Sequence, residues 1–355
     1  MINVLIVDDS PVFRMLFRLA LEKDPELKVI GEAINGEDAV VMAAQLSPDI
    51  ITMDINMPGI GGYEAITRIM DQSPCPIVAL TGIDSQDLIA ASFKDLALGA
   101  LTILPKPAGI ISRNPDMANI IRQMKTLASI KVRKRTSKPS PTQELLALDK
   151  KLSPPVVEFL PWTWTKAPKL VAVGVSTGGP PALHILLKSL PANFPLPLVI
   201  VQHISAGFVD SLAKWLTDTT SFPCKVAEQN EHIKSGIAYL AADNHHLEIT
   251  PSGKVSLTDA DPIANLRPAA EALFLSIAKN FGPQAIGVEL TGMGRDGANG
   301  LLCMRNAGAY TIAQDERSSA IFGMPREAIH LGAAREVLSI DHIGPRLIML
   351  LHSLP

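Results

Sequence analysis

The sequence predicts an α/β fold in two domains joined by a linker. Short apolar runs rich in β-branched residues alternate with longer amphipathic stretches, which is typical of parallel sheets covered by helices. A stretch rich in Lys, Arg, Pro and Ser interrupts this alternation near the middle of the chain. With 355 residues, 47% of them hydrophobic, the chain is long enough to bury more than one core.

The first domain, residues 1–128, is predicted to be a five-stranded parallel sheet of the flavodoxin-like type. Its strands are predicted at INVLIV, LKVIGEA, DIITM, PIVAL and ALTIL. The helices that follow them are predicted at 12–22, 37–45, 62–70, 86–98 and 117–128. Because each strand is followed by a helix, the connections suit parallel crossovers with helices on both faces of the sheet.

The linker is predicted at residues 129–168, where no apolar period is sustained. Its composition favours an exposed connection, with one short helix predicted at 144–151. A basic cluster lies near its start, at Lys131, Arg133, Lys134 and Arg135. Such a cluster is able to bind phosphates, but a solvated linker is the interpretation that we favour.

The second domain, residues 169–355, is predicted to be a doubly wound α/β unit with a mainly parallel sheet. Its strands are predicted at LVAVGV, PLVIVQ, GIAYLAA, AIGVEL and AYTIAQ. Helices are predicted at 181–189 and 268–279, and residues 245–257 are predicted to form an inserted hairpin.

Charge and composition exclude several classes of function. Lys and Arg total 32 against 35 Asp and Glu, a net charge of −3, so no overall field favours nucleic acid or anionic lipid. The thiols Cys75, Cys224 and Cys303 lack a metal-ligand spacing and are predicted to be reduced. We expect a cytoplasmic location without membrane insertion, since the start has no basic leader and no run of about 18 apolar residues occurs.

Polar residues follow four of the predicted strands in the first domain. These residues are Asp8 and Asp9, then Asp54, then Thr81, then Lys106. The carboxyl ends of parallel strands share one edge of a sheet, where ligands bind. Three carboxylates at one edge repel each other unless a cation lies among them, and oxygen ligands favour Mg²⁺.

This set resembles the receiver domain of two-component response regulators, on the motifs VDDS, MDINMP and LPKP. The resemblance implies that a histidine kinase phosphorylates Asp54. It implies that Asp8, Asp9, Asp54 and the backbone carbonyl of Asn56 hold Mg²⁺. It also implies that Thr81 and Lys106 contact the phosphoryl group.

Two departures from the receiver pattern bear on signalling. The chain has MPGIGG where MPxMDG is common, and Ile103 where an aromatic residue is usual. Phosphorylation is expected to survive both changes. The usual aromatic switch is absent, which predicts a different side-chain route for the signal.

The turn GVSTGG after the first strand of the second domain has three interpretations. It matches the nucleophile elbow G-x-S-x-G around Ser176, but a strand, Gly-rich turn and helix also form phosphate cradles or plain connections. A cradle is disfavoured because neither GK[ST] nor G-x-G-x-x-G is present. A base, His203, and a carboxylate, Asp296, follow later predicted strands, which favours the nucleophile.

From Lys169 to about Leu351 the chain resembles the catalytic domain of chemotaxis protein-glutamate methylesterases. The resemblance depends on GVSTGGP, VQHISAGF, RPAAEALFLSIA, LTGMGRDGANGL and TIAQDERSSAIFGMPREAI. A receiver followed by this domain is the family's own arrangement. Departures occur at Ser205, at AADN and at RPAAE, and they bear on how a receptor helix docks.

The resemblance implies a catalytic role for three residues: Ser176 as nucleophile, His203 as general base and Asp296 as its orienting carboxylate. It implies that Thr177 and Met293 shape the site, with the Met293 N–H as an oxyanion donor. We expect the glycines at 178 and 179 to provide clearance for a peptide-borne ester.

The implied reaction is hydrolysis of γ-glutamyl methyl esters on chemoreceptors, with deamidation of receptor glutamines in some family members. The implied partners are the methyl-accepting receptors and a chemotaxis histidine kinase. Mg²⁺ is expected at the receiver, and no cofactor is expected at the esterase site. The family also implies that the unphosphorylated receiver restrains the esterase.

Two other classes of function remain open from the residues alone. A response regulator whose output is binding would need a helix-turn-helix or a basic face, and neither is visible. A general serine hydrolase for small molecules would use the same triad. His245 and His246 are predicted to be structural, and Arg267 either recognises a carboxylate or forms a structural ion pair.

Overall fold

The computed structural model describes residues 1–82, 102–107, 115–130 and 162–352. They belong to two compact units, of which one includes Met1–Leu80 and the other includes the chain from Trp162 onward. Each unit contains a multistranded β-sheet. The helices predicted at 86–98 and 144–151 and the basic cluster at 131–135 lie outside the described residues.

The first sheet has the strand order β2-β1-β3-β4-β5, which is the flavodoxin-like order. Its strands are β1 Ile2–Val7, β2 Leu27–Ala33, β3 Ile50–Asp54, β4 Ile77–Thr81 and β5 Thr102–Pro105. Its described helices are α1 Pro11–Leu21, α2 Gly36–Leu46, α3 Gly61–Gln72 and α4 Pro115–Leu127. β1 pairs in parallel with β2 and β3, and β3 pairs in parallel with β4, which confirms the predicted fold class.

Local sequence explains where these elements begin. Ser10 caps α1 by accepting the N–H of Phe13 and is followed by a proline, which suits the first helical position. Asn35 caps α2 by accepting the N–H of Asp38. All positions of β3 and β4 are buried, as expected for strands that are covered on both faces.

The second sheet has seven described strands in the order β14-β13-β12-β6-β7-β9-β8, and its pairings are parallel. Its strands are β6 Leu170–Val175, β7 Leu198–Gln202, β8 Cys224–Val226, β9 Ala238–Leu240, β12 Ala285–Glu289, β13 Tyr310–Gln314 and β14 Glu336–Leu338. The helices are α5 Gly179–Lys188, α6 Val209–Thr220, α7 Ala270–Asn280, α8 Ala298–Asn306, α9 Met324–His330 and α10 Ile340–His352. A short 3₁₀ turn, Gly282–Gln284, precedes β12.

The predicted hairpin is present as a separate two-stranded antiparallel sheet, β10 His246–Ile249 with β11 Val255–Thr258. The sequence did not reveal β8 or β14, two three-residue strands at the edges of the sheet. Unlike β9, which has the same length but lies in the apolar run GIAYLAA, neither lies in a long apolar run. Among the described helices, none has the length and apolar character needed to cross a membrane.

The core of the second unit lies between the sheet, the hairpin and the helices α7 and α8. Leu273 and Phe274 of α7 and Leu301 of α8 are fully buried with strand and hairpin residues in one apolar cluster. Each such side chain stabilises the fold by roughly 1.5–3 kcal/mol. This packing fixes the start of α7 against the sheet, which matters for the site below.

Two tryptophans anchor the start of the second unit. The indole N–H of Trp164 donates to the carbonyl oxygen of Leu350 at 2.8 Å. The ring of Trp162 meets those of Trp164 and Tyr310 edge-on, and the Arg335 guanidinium lies 4.4 Å from its centroid. Ordered packing therefore begins before residue 169, and the domain limits themselves stay a prediction.

Candidate functional site

Three neighbouring strands of the second sheet present the predicted triad. Ser176 follows β6, His203 follows β7, and Asp296 lies in the loop after β12. β6 pairs with both β12 and β7, so all three residues leave the carboxyl edge where the winding of the sheet reverses. Such a reversal is where open α/β sheets bind ligands.

The Ser176 turn is a tight strand-to-helix connection. The Ser176 N–H donates to the Thr291 carbonyl at 3.0 Å, and its own carbonyl accepts the N–H of Gly179 at 2.8 Å. Gly178 has φ +77°, a conformation in which glycine is strongly preferred. Ser176 is 9% exposed and sits directly before helix α5.

The interpretation of the two glycines as clearance for the substrate is wrong. A Cβ on Gly178 would lie 2.4 Å from the Cβ of Ala320, and a Cβ on Gly179 would lie 1.9 Å from Oε1 of Gln202. The protein's own side chains therefore fill this space. Both glycines are required by internal packing.

Gln202 links Ser176 to His203, and sequence reasoning missed it. It is 5% exposed, and its Nε2 donates to the carbonyl oxygens of Ser176 and His203, each at 2.8 Å. The sequence signal that could have identified Gln202 is a polar residue at the end of a strand that is otherwise apolar. Such a residue needs hydrogen-bond partners nearby.

Thr291 and Gln314 form a second support that sequence reasoning missed. The Thr291 N–H donates to Oε1 of Gln314 at 2.8 Å. The Thr291 hydroxyl donates to the Thr177 carbonyl at 3.0 Å and accepts the N–H of Ile321 at 2.9 Å. Thr177, expected to shape the site, is thus fixed through its backbone.

His203 and Asp296 are in direct contact. Nε2 of His203 lies 2.8 Å from Oδ2 of Asp296, and their side chains are 11% and 3% exposed. The Asp296 carboxylate also accepts the N–H of Ala270 at 2.6 Å and that of Glu271 at 3.1 Å. These N–H groups belong to the first turn of helix α7, where the positive end of the helix dipole stabilises a carboxylate.

This contact leaves Nδ1 of His203 as the nitrogen able to accept a proton from the serine. In the part of the chain that the structure describes, the Ser176 hydroxyl makes no hydrogen bond. The structure thus joins His203 to Asp296 and places Ser176 on the adjacent strand end. Catalytic hydrogen bonds often form only when substrate is bound.

The loop with Met293 passes directly beside the serine. A Cβ on Gly292 would lie 2.8 Å from the Cβ of Ser176. Among the described residues, the N–H groups of Thr177, Gly178 and Met293 have no protein acceptor. Free N–H groups beside a nucleophile suit a developing oxyanion.

The first sheet gathers the predicted metal ligands. Carboxylate oxygens of Asp8, Asp9 and Asp54 all lie within 4.8 Å of one another. Asp8 and Asp54 are 1% and 2% exposed, and each accepts a backbone N–H, from Ser10 at 2.9 Å and Asn56 at 3.1 Å. This set of oxygen donors fits Mg²⁺, since one dication would offset the repulsion of three carboxylates.

Thr81 and Lys106 lie at the ends of the next two strands. Thr81 is the last residue of β4 and fully buried, and its carbonyl accepts the N–H of Lys106 at 2.8 Å. Lys106 follows β5. The predicted receiver residues therefore all lie at the carboxyl ends of strands.

The adjacent histidines have separate partners. Nδ1 of His246 accepts the N–H of Ala269 at 3.2 Å, while Nε2 of His245 lies 3.1 Å from Oδ1 of Asp259. Arg267 donates to the backbone carbonyls of Asp259 and Ala260. These contacts agree with structural roles for the histidines and give Arg267 a loop-bracing role in place of the predicted ion pair.

Comparison with known proteins finds two family models along this chain. The model for the response regulator receiver domain matches residues 4–113, and that for CheB methylesterase matches residues 171–347. The fold and the two sites thus define a response regulator whose output domain is a hydrolase.

Curated relatives match nearly the whole chain. The protein-glutamate methylesterase/protein-glutamine glutaminase 2 of Methanospirillum hungatei is 40% identical over 341 residues, covering 94% of this chain and 93% of that protein. The protein-glutamate methylesterase/protein-glutamine glutaminase 4 of Geobacter metallireducens is 40% identical over 353 residues, covering 99% of each. This chain therefore belongs to the protein-glutamate methylesterase/protein-glutamine glutaminase family.

A solved structure agrees with this membership. The crystal structure of the Thermotoga maritima CheB methylesterase catalytic domain is 39% identical, with a TM-score of 0.50, and covers 52% of this chain and 100% of its own. The predicted family, the fold class and the hydrolase class are confirmed.

Proposed function

We propose that this protein hydrolyses glutamyl methyl esters on chemoreceptors with Ser176 as nucleophile, under control of phosphorylation at Asp54. The main support is the 2.8 Å contact between His203 and Asp296 on strand ends next to the Ser176 turn. A base held by a buried carboxylate beside a serine is the arrangement needed for acyl transfer.

The first half-reaction forms an acyl-enzyme. Oγ of Ser176 attacks the ester carbonyl carbon while Nδ1 of His203 takes the hydroxyl proton. The bond from carbon to the methoxy oxygen then breaks, and the His203 imidazolium gives that proton to the leaving oxygen, releasing methanol. Asp296 stabilises the imidazolium while helix α7 holds the carboxylate in place.

The second half-reaction returns the enzyme to its starting state. His203 takes a proton from water, the hydroxide attacks the glutamyl ester, and the bond to Oγ of Ser176 breaks as Oγ regains the proton. The glutamate side chain leaves and loses its acid proton to solvent. We assign oxyanion stabilisation to the Met293 N–H, with Thr177 shaping the same wall.

Deamidation of receptor glutamines would follow the same course. A primary amide carbon would form the same glutamyl ester on Ser176, with ammonia leaving in place of methanol. The relatives are named for both activities, and the proposed acyl-enzyme is common to both.

In the receiver, the Asp54 carboxylate accepts a phosphoryl group from a chemotaxis histidine kinase. Asp8, Asp9, Asp54 and the carbonyl of Asn56 would hold Mg²⁺, whose charge offsets that of the phosphoryl oxygens when bound. Thr81 and Lys106 orient the phosphoryl group by hydrogen bond and charge.

We further propose a cytoplasmic location, where the kinase and the methylated parts of the receptors are available. The overall charge of −3 gives no basis for a nucleic-acid partner. The proposed esterase chemistry uses side chains and backbone N–H groups of the protein alone, so we propose no cofactor at that site.

The serine assignment is tested with Ser176→Ala and a matched control, Ser252→Ala, in the exposed hairpin turn. We expect Ser176→Ala to lower methanol release from a methylated receptor peptide by about 10³-fold or more, and Ser252→Ala to leave it unchanged. Mass spectrometry of the parent, quenched during turnover, should find a glutamyl adduct on the Ser176 peptide. Full activity of Ser176→Ala would contradict the assignment.

A further inference from the structure

Glu289 is a buried carboxyl group that the proposed reaction does not use. It is the last residue of β12 and is 0% exposed. Neither of its carboxyl oxygens has a hydrogen-bond partner among the described residues. Because burying an unpaired carboxylate is costly, a group in this position demands an explanation.

The Glu289 side chain lies directly behind the proposed triad. A Cβ on Gly297, the residue after Asp296, would lie 2.5 Å from Oε2 of Glu289. A Cβ on Gly174, its partner on β6, would lie 3.2 Å from Oε1. The absence of side chains at these two glycines leaves the room that the carboxyl group occupies.

The first turn of α7 closes the same space. A Cβ on either glycine would also meet the methyl group of Ala270 and the ring of Phe274, at distances of 2.9–3.2 Å. Ala270 is the residue whose N–H donates to Asp296. The carboxyl group of Glu289 and that of Asp296 therefore both lie at the start of α7.

The charged groups around Glu289 are acidic. Burial, and then the charges of Asp296 and Glu271, raise the pKa of Glu289 well above its ordinary value. Burial likewise raises the pKa of Glu271, whose carboxylate accepts the N–H of Gly300. His203 is the basic group of the proposed triad, and it faces Asp296.

A metal ion does not explain this group. Within the described ranges, the group of three or more His, Cys, Asp or Glu residues whose ligand atoms all lie within 4.8 Å of one another is that of the receiver, and it does not include Glu289. The two carboxyl groups at α7 differ instead in their donors. Two backbone N–H groups donate to Asp296, and Nε2 of His203 lies 2.8 Å from the same carboxylate. No described residue donates to Glu289.

Resting on the function proposed above, we propose that Glu289 is a positioning residue of the triad, held as an uncharged carboxylic acid so that Asp296 alone carries charge beneath His203. Paired carboxyl groups in unlike environments commonly divide charge and proton in this way. When Glu289 ionises at alkaline pH, a second buried charge competes for the N–H groups of α7 and disturbs the contact between His203 and Asp296.

A buried, uncharged Glu289 makes the free energy of unfolding depend on pH. The unfolded chain ionises Glu289 near its ordinary pKa, 4.5, whereas the folded chain keeps the proton. The contribution of this residue is therefore neutral below that pH and increasingly destabilising as pH rises toward the folded pKa. An uncharged substitute removes the loss at neutral and alkaline pH and changes little at acidic pH.

Unfolding of the full chain tests this directly, because the three tryptophans, at 162, 164 and 215, all lie in the second unit. We follow thermal unfolding by tryptophan fluorescence at pH 5 and at pH 9. Between these two pH values, we expect the midpoint temperature of the parent to fall by about 3–6 °C more than those of Glu289→Gln and Glu289→Leu. Glu248→Gln, in the hairpin, is the matched control and should follow the parent. Parallel curves for the parent and both Glu289 variants would overturn the proposal.

Kinetics test the link to the triad. Glu289→Gln should keep the acidic limb of kcat/KM within about 0.3 pH unit of the parent and retain kcat to higher pH, because the parent residue is already uncharged at neutral pH. If Glu289 were ionised, removing its charge would move the acidic limb to lower pH by about one unit, and this result would overturn the proposal. The unfolding curves need no activity, so a failed Ser176 assignment would be recognised separately.

Discussion

Among single residues, Gln202 shows how the fold holds the proposed nucleophile and base together through a side chain that has no proposed part in the chemistry. Its amide donates to the carbonyls of both Ser176 and His203, so one side chain ties the ends of β6 and β7 together. The amide oxygen meanwhile occupies the space that Gly179 leaves. The position of the serine relative to its base thus depends on one buried amide.

We expect Gln202→Leu to lower kcat by about 10- to 100-fold with little change in KM. The two carbonyls would lose their common donor, and small displacements of reacting groups have effects of this size. Gln202→Glu keeps the shape but not the donors and should lose activity as well. Steady-state kinetics with a methylated receptor peptide measure both, and a fully active Gln202→Glu protein would show that donation is not required.

The residues of the proposed triad could be selected from sequence, but the residues that support them could not. Ser176, His203 and Asp296 each follow an apolar run, and parallel strands place such positions at one edge. Gln202 and Glu289 lie within the strands themselves. Their partners come from distant parts of the chain, such as Gly297 for Glu289, and no local spacing reveals them.

Among the elements, helix α7 is the one on which the site depends most. Its first N–H groups are occupied by two side chains, since His246 accepts from Ala269 and Asp296 accepts from Ala270 and Glu271. Asp296 therefore caps the helix and is also the proposed orienting carboxylate. The apolar face of α7, including Phe274, anchors the helix in the core.

We expect Asp296→Ala to lose both roles. An alanine side chain has no oxygen to accept the N–H groups of α7 or to face His203, so kcat should fall by about 10²- to 10⁴-fold and stability by about 0.5–2 kcal/mol. Asp341→Ala, at an acidic residue in the first turn of α10, is the control and should change stability by a few tenths of a kcal/mol without affecting kcat. Urea unfolding and kinetics measure the two effects, and unchanged stability of Asp296→Ala would exclude the capping role.

Most elements could be predicted from their patterning because their length gives a clear period. The five strands of the first sheet and the hairpin at β10–β11 lie where apolar runs predicted them. The edge strands β8 and β14 could not be found, since neither lies in a long apolar run such as the GIAYLAA that contains the equally short β9. Helix α5 begins at Gly179, earlier than its apolar period suggests, because its start is set by the turn after Ser176.

At the scale of the whole molecule, the chain joins a receiver domain and an ester hydrolase domain, and the proposed site of each lies at the carboxyl edge of its own sheet. The order of the two halves and the family were visible in the motifs. The end of the linker was harder to locate from the sequence. The linker-like composition continues up to residue 169, but Trp162 and Trp164 already pack within the second unit. Aromatic contacts with distant residues, here Tyr310 and Leu350, cannot be read from local composition.

The proposed coupling of the two halves depends on Asp54 and Ser176 together. Methanol release from a methylated chemoreceptor fragment, with and without a small-molecule phosphodonor and Mg²⁺, measures this coupling in the full chain. Three variants accompany the parent: Ser176→Ala, Asp54→Asn, and Asp71→Asn as a control on the exposed face of α3.

We predict that the phosphodonor raises methanol release by the parent and by Asp71→Asn. Asp54→Asn should keep only the unstimulated rate, because it lacks the phosphoacceptor. Ser176→Ala should release methanol about 10³-fold more slowly than the parent, or slower still, in either condition. Parental release by Ser176→Ala, or full stimulation of Asp54→Asn, would contradict the account.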